Sequence, residues 1–374
     1  MFTIQELLQQ SLFVAGVSII MALLLSIIDG LVNNYGPVVV TVNHKKEFNV
    51  NGGSKLLGTL ADQGIFLPSA CGGRGSCGAC KCQVDSDVGP HLPTETPYLN
   101  AKEIADNVRL ACQVKVKANI AIQIPEALFN IKKLTGTITE IEPLTHDIKR
   151  VLVKLPDGVE VDYEAGQYGQ FEVPPYGDIH EATQRAYSFS SNPQTKGFLE
   201  FLIRLVPGGI VTTYVHNQLR LNQSINIVAP VGDFHVRDTN AVMVCVAGGS
   251  GMAPFKSIFN DMIATGKINE RDVWYFFGAR TTKDMYYLDW LRGLAKQYPR
   301  FHFVPALSEP QPGETWEGAT GLITEVLSGY LDKQIGTDQP REGYLCGSPG
   351  MLDACMAVMR KHKMSESDIF FDKF

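Results

Sequence analysis

Basic residues are not in excess in this chain of 374 residues, and they form no cluster along it. The 33 Lys and Arg are outnumbered by 39 Asp and Glu, which gives a formal net charge of −6. A surface that binds nucleic acid by neutralising phosphates needs the opposite balance, so the composition argues against a nucleic-acid partner. Hydrophobic residues make up 45% of the chain, which excludes intrinsic disorder and predicts a globular protein of several domains.

Cysteine is scarce as well. Eight cysteines in 374 residues fall far below the density of a disulfide scaffold. Three of them, Cys71, Cys77 and Cys80, nevertheless lie within ten positions of one another. This grouping is typical of a metal site in a reducing compartment.

Formal charge is absent from Leu7 to Ile28, between Glu6 and Asp29. A helix of this length spans a hydrocarbon core of roughly 30 Å, so the run predicts one transmembrane helix. A cleaved signal peptide would need a basic segment before the run and a small-residue site after it. The alternative interpretation is a buried helix of a soluble protein, which the apolar residues on every face of the segment disfavour.

The cysteine-rich loop predicts an iron–sulfur site. Cys71, Cys77 and Cys80 have C-x5-C-x2-C spacing, and Cys112 supplies a fourth thiol farther along the chain. The intervening glycines let the backbone wrap around an inorganic anion; they are Gly72, Gly73, Gly75 and Gly78. Zinc is the alternative, but it usually binds paired C-x2-C motifs on both sides. Cys82 is interpreted as an inward-facing strand residue rather than a ligand.

This segment resembles ferredoxins of the [2Fe–2S] β-grasp type, an α+β fold, with one residue added between the first two cysteines. From Leu134 onward, short alternating runs separated by turn residues predict an antiparallel β-barrel. Within it, Arg185-Ala-Tyr187-Ser188 and Gly209 to Thr212 are candidate ligand residues, and the second set begins a predicted helix. A helix N-terminus with glycines and hydroxyls suits a pyrophosphate.

Together these residues resemble the FAD-binding domain of the ferredoxin–NADP reductase superfamily. The resemblance implies that Arg185 pairs with the flavin pyrophosphate and that Tyr187 stacks on the isoalloxazine. It further implies that Ser188 hydrogen-bonds near the reactive N5 and that Thr212 with Gly209 caps the phosphates. The alternative is that Arg185 and Tyr187 are ordinary strand residues.

The last 135 or so residues alternate apolar strands with helical patterns, which predicts an α/β domain with a parallel sheet. The first strand ends in a glycine turn that lacks the G-x-G-x-x-G pattern but matches the G-G-x-G-x-x-P variant of the same superfamily; its residues are Gly248, Gly249, Gly251 and Pro254. Cys346-Gly347-Ser-Pro matches the C-G-x-P motif of that superfamily, which implies that Cys346 lies beside the nicotinamide C4. Phe374 resembles the aromatic that covers the outer flavin face, although a frayed terminus is the alternative. Cys245 and Cys355 are interpreted as core residues.

The sequence predicts four segments in this order: a 1–35 anchor, a 36–128 [2Fe–2S] domain, a 130–238 FAD domain and a 239–374 NAD domain. This order resembles that of the F-subunit family of sodium-translocating NADH:quinone oxidoreductases. The resemblance implies hydride transfer from NADH to FAD, with Cys346, Ser188 and Tyr187 at the reacting atoms. Single electrons would then pass through the cluster to other membrane subunits of a quinone-reducing complex. It also implies a single-pass protein of the inner (plasma) membrane with cytoplasmic catalytic domains. One departure is the short stretch from Arg185 to Gly209.

Two other functions use similar modules. A reductase that supplies electrons to an oxygenase or another metalloenzyme has the same three domains but is usually soluble. A redox sensor or electron-carrier ferredoxin would leave the nicotinamide domain unexplained. We expect NADPH to be a poorer donor than NADH, although Arg280 after the second strand of the NAD domain lies where it could reach a 2′-phosphate.

Overall fold

The computed structural model describes residues 4–32, 35–69, 71–336 and 338–373. The chain divides into two compact units. The first comprises Met1–Leu67 and Gly73–Leu128, and the second comprises Pro68–Gly72 and Phe129–Phe374. The boundaries of the four segments expected from the sequence stay a prediction.

The N-terminal segment forms helix α1, Ile4–Val32. Its large apolar side chains between Leu12 and Ile28 are exposed. Among the described residues, no helix combines the length and apolarity that crossing a membrane requires. The predicted helix is therefore found, but its transmembrane character is not confirmed.

The rest of the first unit is built on a mixed five-stranded sheet. Its elements are β1 (Pro37–Val42), β2 (Lys46–Asn51), α2 (Leu56–Asp62), β3 (Lys81–Val84), α3 (Ala101–Ala105), β4 (Val108–Leu110) and β5 (Ile120–Gln123). The strand order is β2-β1-β5-β3-β4, with β1 parallel to β5 and the other pairs antiparallel. Val38, Val40 and Val42 of β1 alternate into the core, as in a half-buried strand.

The first half of the second unit is a six-stranded antiparallel sheet. Its elements are β6 (Lys132–Pro143), β7 (Ile148–Lys154), β8 (Tyr168–Val173), β9 (Thr183–Ser188), β10 (Phe198–Arg204), α4 (Ile210–Asn217) and β11 (Ser224–Val231). The strand order is β10-β7-β6-β11-β8-β9. The two edges meet beyond β9 through an isolated bridge between Phe189 and Phe201. The predicted barrel is thus a half-barrel, because a single bridge replaces a full ladder between the edge strands.

The second half of this unit is a parallel sheet with helices. Its strands are β12 (Val242–Gly248), β13 (Val273–Ala279), β14 (Phe301–Leu307), β15 (Ala319–Thr320), β16 (Arg341–Gly347) and β17 (Ile369–Lys373). Its helices are α5 (Met252–Thr265), α6 (Leu288–Gln297), α7 (Ile323–Lys333) and α8 (Pro349–Lys361). The strand order is β15-β14-β13-β12-β16-β17, which confirms the predicted parallel sheet.

The helices bury the faces that the sequence periodicity indicates. On α5, Phe255, Ile258, Phe259 and Met262 are all buried, and Cys245 and Cys355 lie in the core as predicted. The strands β13, β14 and β15 extend the sheet on one side of β12, and β16 and β17 extend it on the other. The strand order therefore reverses between β12 and β16. Open parallel sheets bind ligands at the carboxyl ends of the strands beside such a reversal.

Candidate functional site

Three of the four candidate ligand cysteines belong to the first unit. Cys80 and Cys112 are buried, with 1% of each exposed, and Cys77 is half-buried. The pKa of Cys80 is raised, chiefly by a hydrogen bond with Cys112 and secondly by burial. The charge of Cys77 raises it further. Cys71 is also half-buried and lies in Pro68–Gly72, which groups with the second unit.

The loop between these cysteines requires glycine. Gly72, Gly73, Gly75 and Gly78 all have positive φ angles, of 66°, 83°, 76° and 67°. A Cβ added to Gly78 would lie 2.7 Å from the Cβ of Tyr98, so a larger residue would clash. Successive residues of this kind can direct backbone N–H groups towards an anion, which fits an iron–sulfur cluster. Within the described ranges, no three His, Cys, Asp or Glu side chains are gathered as a metal-binding group, so the four-cysteine ligand set stays a prediction.

Cys82 has different surroundings from Cys80. It lies on β3, opposite Arg109 of β4, and is only 2% exposed. Burial raises the pKa of the Cys82 thiol to about 12, with Arg109 opposing and Glu95 reinforcing the shift. Its charged neighbours are thus an ion pair, which supports its assignment as a packing residue.

The sequence reasoning missed the ion pair itself. Glu95 and Arg109 are 0% and 2% exposed, and their closest atoms, Oε2 and Nη2, lie 2.7 Å apart. The backbone N–H of Leu110 also donates to Glu95 Oε1 at 3.0 Å. Burial opposes ionisation, but the hydrogen bonds from Arg109 and the backbone hold the pKa of Glu95 below its usual range. The pair fixes the strand that leads into Cys112, and the signal for it was the single charge in the apolar run VRLAC.

The predicted flavin residues of the second unit lie on β9. The Tyr187 ring packs edge-on against Phe171, with 6.2 Å between centroids, and burial raises the pKa of its hydroxyl. The Arg185 guanidinium is half-buried and donates to the Gln184 carbonyl at 2.6 Å. Because β9 is an edge strand of the half-barrel, one side of this segment faces away from the sheet ladder.

Gly209 and Thr212 lie at the start of α4, as predicted, with Gly209 at the N-cap. The Thr212 hydroxyl bonds within the preceding turn: it accepts from the Val206 N–H at 3.2 Å and lies 3.3 Å from the carbonyls of Val206 and Gly209. Thr212 therefore holds the shape of the turn, and the helix N-terminus itself remains a suitable anion site.

The glycine turn after β12 packs tightly against β16. Gly248 ends the strand, Gly249 has a φ of 56°, and Pro254 lies in the first turn of α5. A Cβ added to Gly251 would approach the Cys346 carbonyl oxygen to 2.1 Å, so only glycine allows this contact. The structure thus brings the two nicotinamide motifs of the sequence together.

Cys346 lies at the end of β16, fully buried and opposite Asp372 of β17. Burial raises the pKa of the Cys346 thiol, and the charge of Asp372 raises it further. A thiol with a raised pKa remains protonated at neutral pH and is a poor nucleophile. Gly347 follows with a positive φ of 151°.

Asp372 joins the two halves of the site, and the sequence reasoning missed it. Ser188 Oγ, from the half-barrel, donates to Asp372 Oδ2 at 3.0 Å. Burial raises the pKa of Asp372 to about 6, and the hydrogen bond from Ser188 opposes that shift. The available signal was its place after the last apolar strand, at the ligand-binding edge of the sheet. Phe374 lies outside the described residues.

A cavity of about 280 Å³ opens at the carboxyl ends of β12, β13 and β14, and the glycine turn lines it. Arg204 of β10 also lines it, and its Nη1 would lie 3.4 Å from a Cβ on Gly249. Asp147 holds this arginine, with 2.6 Å between Oδ2 and Nε. Across the cavity, Arg280 pairs with Glu309 through two hydrogen bonds, of 3.0 and 3.2 Å. Arg204 and Glu309 were not identified from the sequence.

Three domain families match this chain. Residues 40–117 match the 2Fe-2S iron-sulfur cluster binding domain, residues 135–236 the oxidoreductase FAD-binding domain, and residues 245–357 the oxidoreductase NAD-binding domain. These matches confirm the predicted cofactors, FAD, a [2Fe–2S] cluster and NADH.

A solved structure with this arrangement is the Amycolatopsis cytochrome P450 reductase, with 28% identity and a TM-score of 0.71 over 90% of this chain and 98% of that one. The ferredoxin reductase in carbazole 1,9a-dioxygenase shares the fold, with a TM-score of 0.66 and 24% identity over 90% of this chain and 98% of its own.

Among curated proteins, the F subunit of the Na(+)-translocating NADH-quinone reductase of Marinomonas sp. is 33% identical over 100% of both chains. The corresponding protein of Pseudomonas aeruginosa is 34% identical over 91% of each chain, and that of Neisseria gonorrhoeae is 33% identical over 91% of this chain and 92% of its own. Identity at this level over the whole length confirms the resemblance seen in the motifs: the chain is an oxidoreductase component that belongs to the F-subunit family of Na(+)-translocating NADH-quinone reductases.

Proposed function

We propose that this chain takes hydride from NADH onto FAD and passes single electrons through a [2Fe–2S] cluster to the membrane subunits of a quinone-reducing complex. The observation that carries the proposal is the convergence of Ser188, Asp372 and Cys346 where the half-barrel meets the carboxyl edge of the parallel sheet. Ser188 comes from the FAD-binding region and Cys346 from the NAD-binding region. Two cofactors bound there would meet at these side chains.

The protein residues have distinct tasks in this proposal. Arg185, Gly209 and Thr212 bind the FAD phosphates, Tyr187 and Phe374 pack on the flavin ring, and Ser188 orients its reactive edge. The NADH residues bind the pyrophosphate and place the nicotinamide; they are Gly248, Gly249, Gly251, Pro254, Cys346 and Gly347. Bound FAD converts a two-electron hydride donor into a one-electron donor, which a [2Fe–2S] cluster requires.

Cys71, Cys77, Cys80 and Cys112 are the proposed cluster ligands. The left-handed glycines of their loop and the contact between Cys80 and Cys112 support this set. The deprotonated thiolates would bind the iron, and the Glu95–Arg109 pair would hold the strand that carries the fourth ligand in place.

NADH is the proposed donor in preference to NADPH. The sequence alone allowed Arg280 to receive a 2′-phosphate, but its guanidinium is engaged with the Glu309 carboxylate. A carboxylate at this position repels a phosphate and can accept a hydrogen bond from a ribose hydroxyl, as acidic residues do in NAD sites. Glu309 is therefore proposed to favour NADH.

Attachment to a membrane is proposed through α1, whose exposed apolar residues between Leu12 and Ile28 need a covering of lipid or of partner subunits. The catalytic units would then lie in the cytoplasm, where NADH is available, and the membrane would be the inner (plasma) membrane. Sodium translocation is a property named for the relatives, and here it would depend on the partner subunits.

A second candidate function is delivery of electrons from NADH to an oxygenase or another metalloenzyme. The similarity to the Amycolatopsis cytochrome P450 reductase favours it, as does the short stretch from Arg185 to Gly209. The exposed apolar helix α1 disfavours it, because a soluble electron donor has no use for such a surface.

Reconstitution distinguishes the two functions. The purified full chain would be added to membranes from a strain that lacks only its gene, with NADH as the donor. Restored reduction of membrane quinone supports the quinone-reducing complex. If the chain reduces ferricyanide with NADH but restores no quinone reduction, the second function is favoured.

A further inference from the structure

A buried carboxylate lies away from the cofactor residues proposed above. Glu200 is on β10, and only 6% of the residue is exposed. Its Oε1 accepts from Lys256 Nζ at 2.6 Å and from Ser190 Oγ at 2.7 Å, and its Oε2 accepts from Arg150 Nη1 at 3.1 Å. A buried carboxylate with this many donors is held in one position.

The Glu200–Lys256 pair crosses the boundary between the two halves of the second unit. Lys256 belongs to α5, the helix that begins at the glycine turn, and 18% of its side chain is exposed. The next residue, Ser257, is fully buried and donates from Oγ to the Ser191 carbonyl at 2.6 Å. Lys256 Nζ also lies 3.4 Å from the Ser190 carbonyl, so two consecutive residues of α5 bind β10 and the segment that joins it to β9.

Both ends of this contact lead directly to residues of the proposed hydride-transfer site. Ser190 lies two positions after Ser188, and Lys256 lies five positions after Gly251. A shift between α5 and β10 would therefore change the distance between the glycine turn and Ser188. Hydride transfer needs the reacting atoms about 3–3.5 Å apart, and a misplacement of about 1 Å can cost about 100-fold in rate.

The surrounding charges make Lys256 hard to replace. Arg150 is shared among three carboxylates, because it also bonds Glu142 through Nε at 2.7 Å and Glu140 through Nη2. With Lys256 present, two cations balance three carboxylates; without it, Arg150 alone must do so. Without Lys256, Glu200 would keep Arg150 and Ser190 but lose its shortest charged contact, which favours opening or rearrangement of the contact between α5 and β10.

We propose that Glu200 and Lys256 are positioning residues that fix the NAD-binding half against the FAD-binding half for hydride transfer. This inference rests on the proposed transfer from NADH to FAD. Neither residue is among the cofactor residues proposed above, so each acts through the segment that it holds.

The test is anaerobic stopped-flow reduction of the FAD-loaded full chain by NADH. In Lys256→Met, the limiting rate of flavin reduction falls about 10- to 100-fold while the half-saturating NADH concentration changes less than about threefold. Lys256→Arg keeps a cation within reach of Glu200 and restores most of the rate. Lys196→Met breaks a comparable but exposed pair, in which Lys196 Nζ lies 2.7 Å from Asp162, and retains the parent rate.

A second readout needs no NADH. Backbone hydrogen–deuterium exchange in β10 and in the first two turns of α5 becomes faster in Lys256→Met, whereas β12 keeps its protection. If Lys256→Met fails to load FAD, Glu200→Gln replaces it in the test. This substitution preserves the size of the side chain, and the same exchange pattern is expected. In the double variant Lys256→Met/Glu200→Gln, the limiting rate of flavin reduction falls by less than the product of the two single fold-changes.

The proposal is overturned if both variants keep the parent limiting rate and exchange pattern, or if Lys256→Arg is as slow as Lys256→Met. If NADH does not reduce the flavin of the parent chain, the proposed function fails instead. The exchange comparison then decides by itself whether the pair joins the two halves.

Discussion

Two groups of buried cysteines in this protein have opposite surroundings. Cys80 and Cys112 hydrogen-bond to each other beside a loop of left-handed glycines. Cys346 is fully buried at the end of a parallel strand, and its charged neighbour is the carboxylate of Asp372. The comparison teaches that burial alone does not decide the role of a thiol. The neighbours distinguish the two cases: they are a second thiol and a glycine loop for Cys80, and a carboxylate that helps to keep the thiol protonated for Cys346.

The largest effect is expected at the cluster cysteines. Cys112→Ala removes one of four thiolate ligands, and we expect loss of the [2Fe–2S] electron paramagnetic resonance signal. FAD content and flavin reduction by NADH should survive, because the cysteine belongs to a different compact unit from the FAD and NAD residues. Loss of the cluster signal with surviving flavin reduction is likewise expected for Cys77 and Cys80, and loss of the cluster signal is expected for Cys71, which groups with the second unit. An intact cluster in Cys112→Ala would contradict the ligand assignment.

A smaller effect is expected at Cys346. Cys346→Ala should slow flavin reduction about tenfold, which corresponds to about 1.4 kcal/mol of lost transition-state stabilisation. Because the pKa of the thiol is raised, no thiolate step should appear in the pH profile of the parent chain near neutrality. Stopped-flow absorbance measures the rate, and mass spectrometry of the reacted protein should detect no thiol adduct. A variant with the parent rate would make Cys346 a packing residue only.

A third prediction concerns the pH dependence of stability at Asp372. Its folded pKa, about 6, lies above the usual value of 3.8, so its contribution is fully present below pH 3.8 and is lost as pH rises through 6. Asp372→Asn removes this loss and should stabilise the chain relative to the parent by roughly 1 kcal/mol more at pH 7.5 than at pH 4.5. The value is less than the full shift because Asp372 keeps some solvent exposure. Thermal unfolding of the cofactor-free chain at both pH values provides the measurement. Equal differences at the two pH values would show that Asp372 does not titrate in this range.

The smallest effect is expected at Cys82, a buried thiol close in sequence to the proposed ligands that is not assigned as a ligand. Cys82→Ala should keep the cluster signal and cost about 1 kcal/mol of stability through lost packing. Chemical denaturation and electron paramagnetic resonance of the same sample measure both quantities. If Cys82→Ala lost the cluster signal while Cys112→Ala kept it, the wrong thiol would have been assigned as the fourth ligand.

The elements and the cofactor classes could be predicted from the sequence because their signals are local. The alternation of Val38, Val40 and Val42 predicts a strand, and the glycine turn from Gly248 to Gly251 predicts a phosphate-binding loop. Both depend only on residues close together in the chain. The half-barrel was predicted as an antiparallel barrel, because closure depends on how the edge strands β9 and β10 meet, which strand patterns do not encode.

The residues that sequence reasoning missed act through pairing across long separations. Asp372 bonds Ser188, Glu95 bonds Arg109, and Glu200 bonds Lys256. A charged side chain in a strand pattern gives no sign of its partner until the fold brings the two together. Arg280 illustrates the same limit, since its pairing with Glu309 could not be read from the sequence.

The two cysteine groups are assigned to cluster ligation and to the shape of the hydride-transfer site. The most direct test of this assignment is an anaerobic NADH titration of the full chain loaded with FAD and cluster. The parent should take up about one and a half NADH per chain, because FAD accepts two electrons and a [2Fe–2S] cluster accepts one. Cys112→Ala should take up about one NADH per chain, and Cys346→Ala should reach the parent value more slowly. A Cys112→Ala variant that still accepts the parent amount, or a Cys346→Ala variant that accepts less, would contradict the assignment of one cysteine group to the metal and the other to the shape of the site.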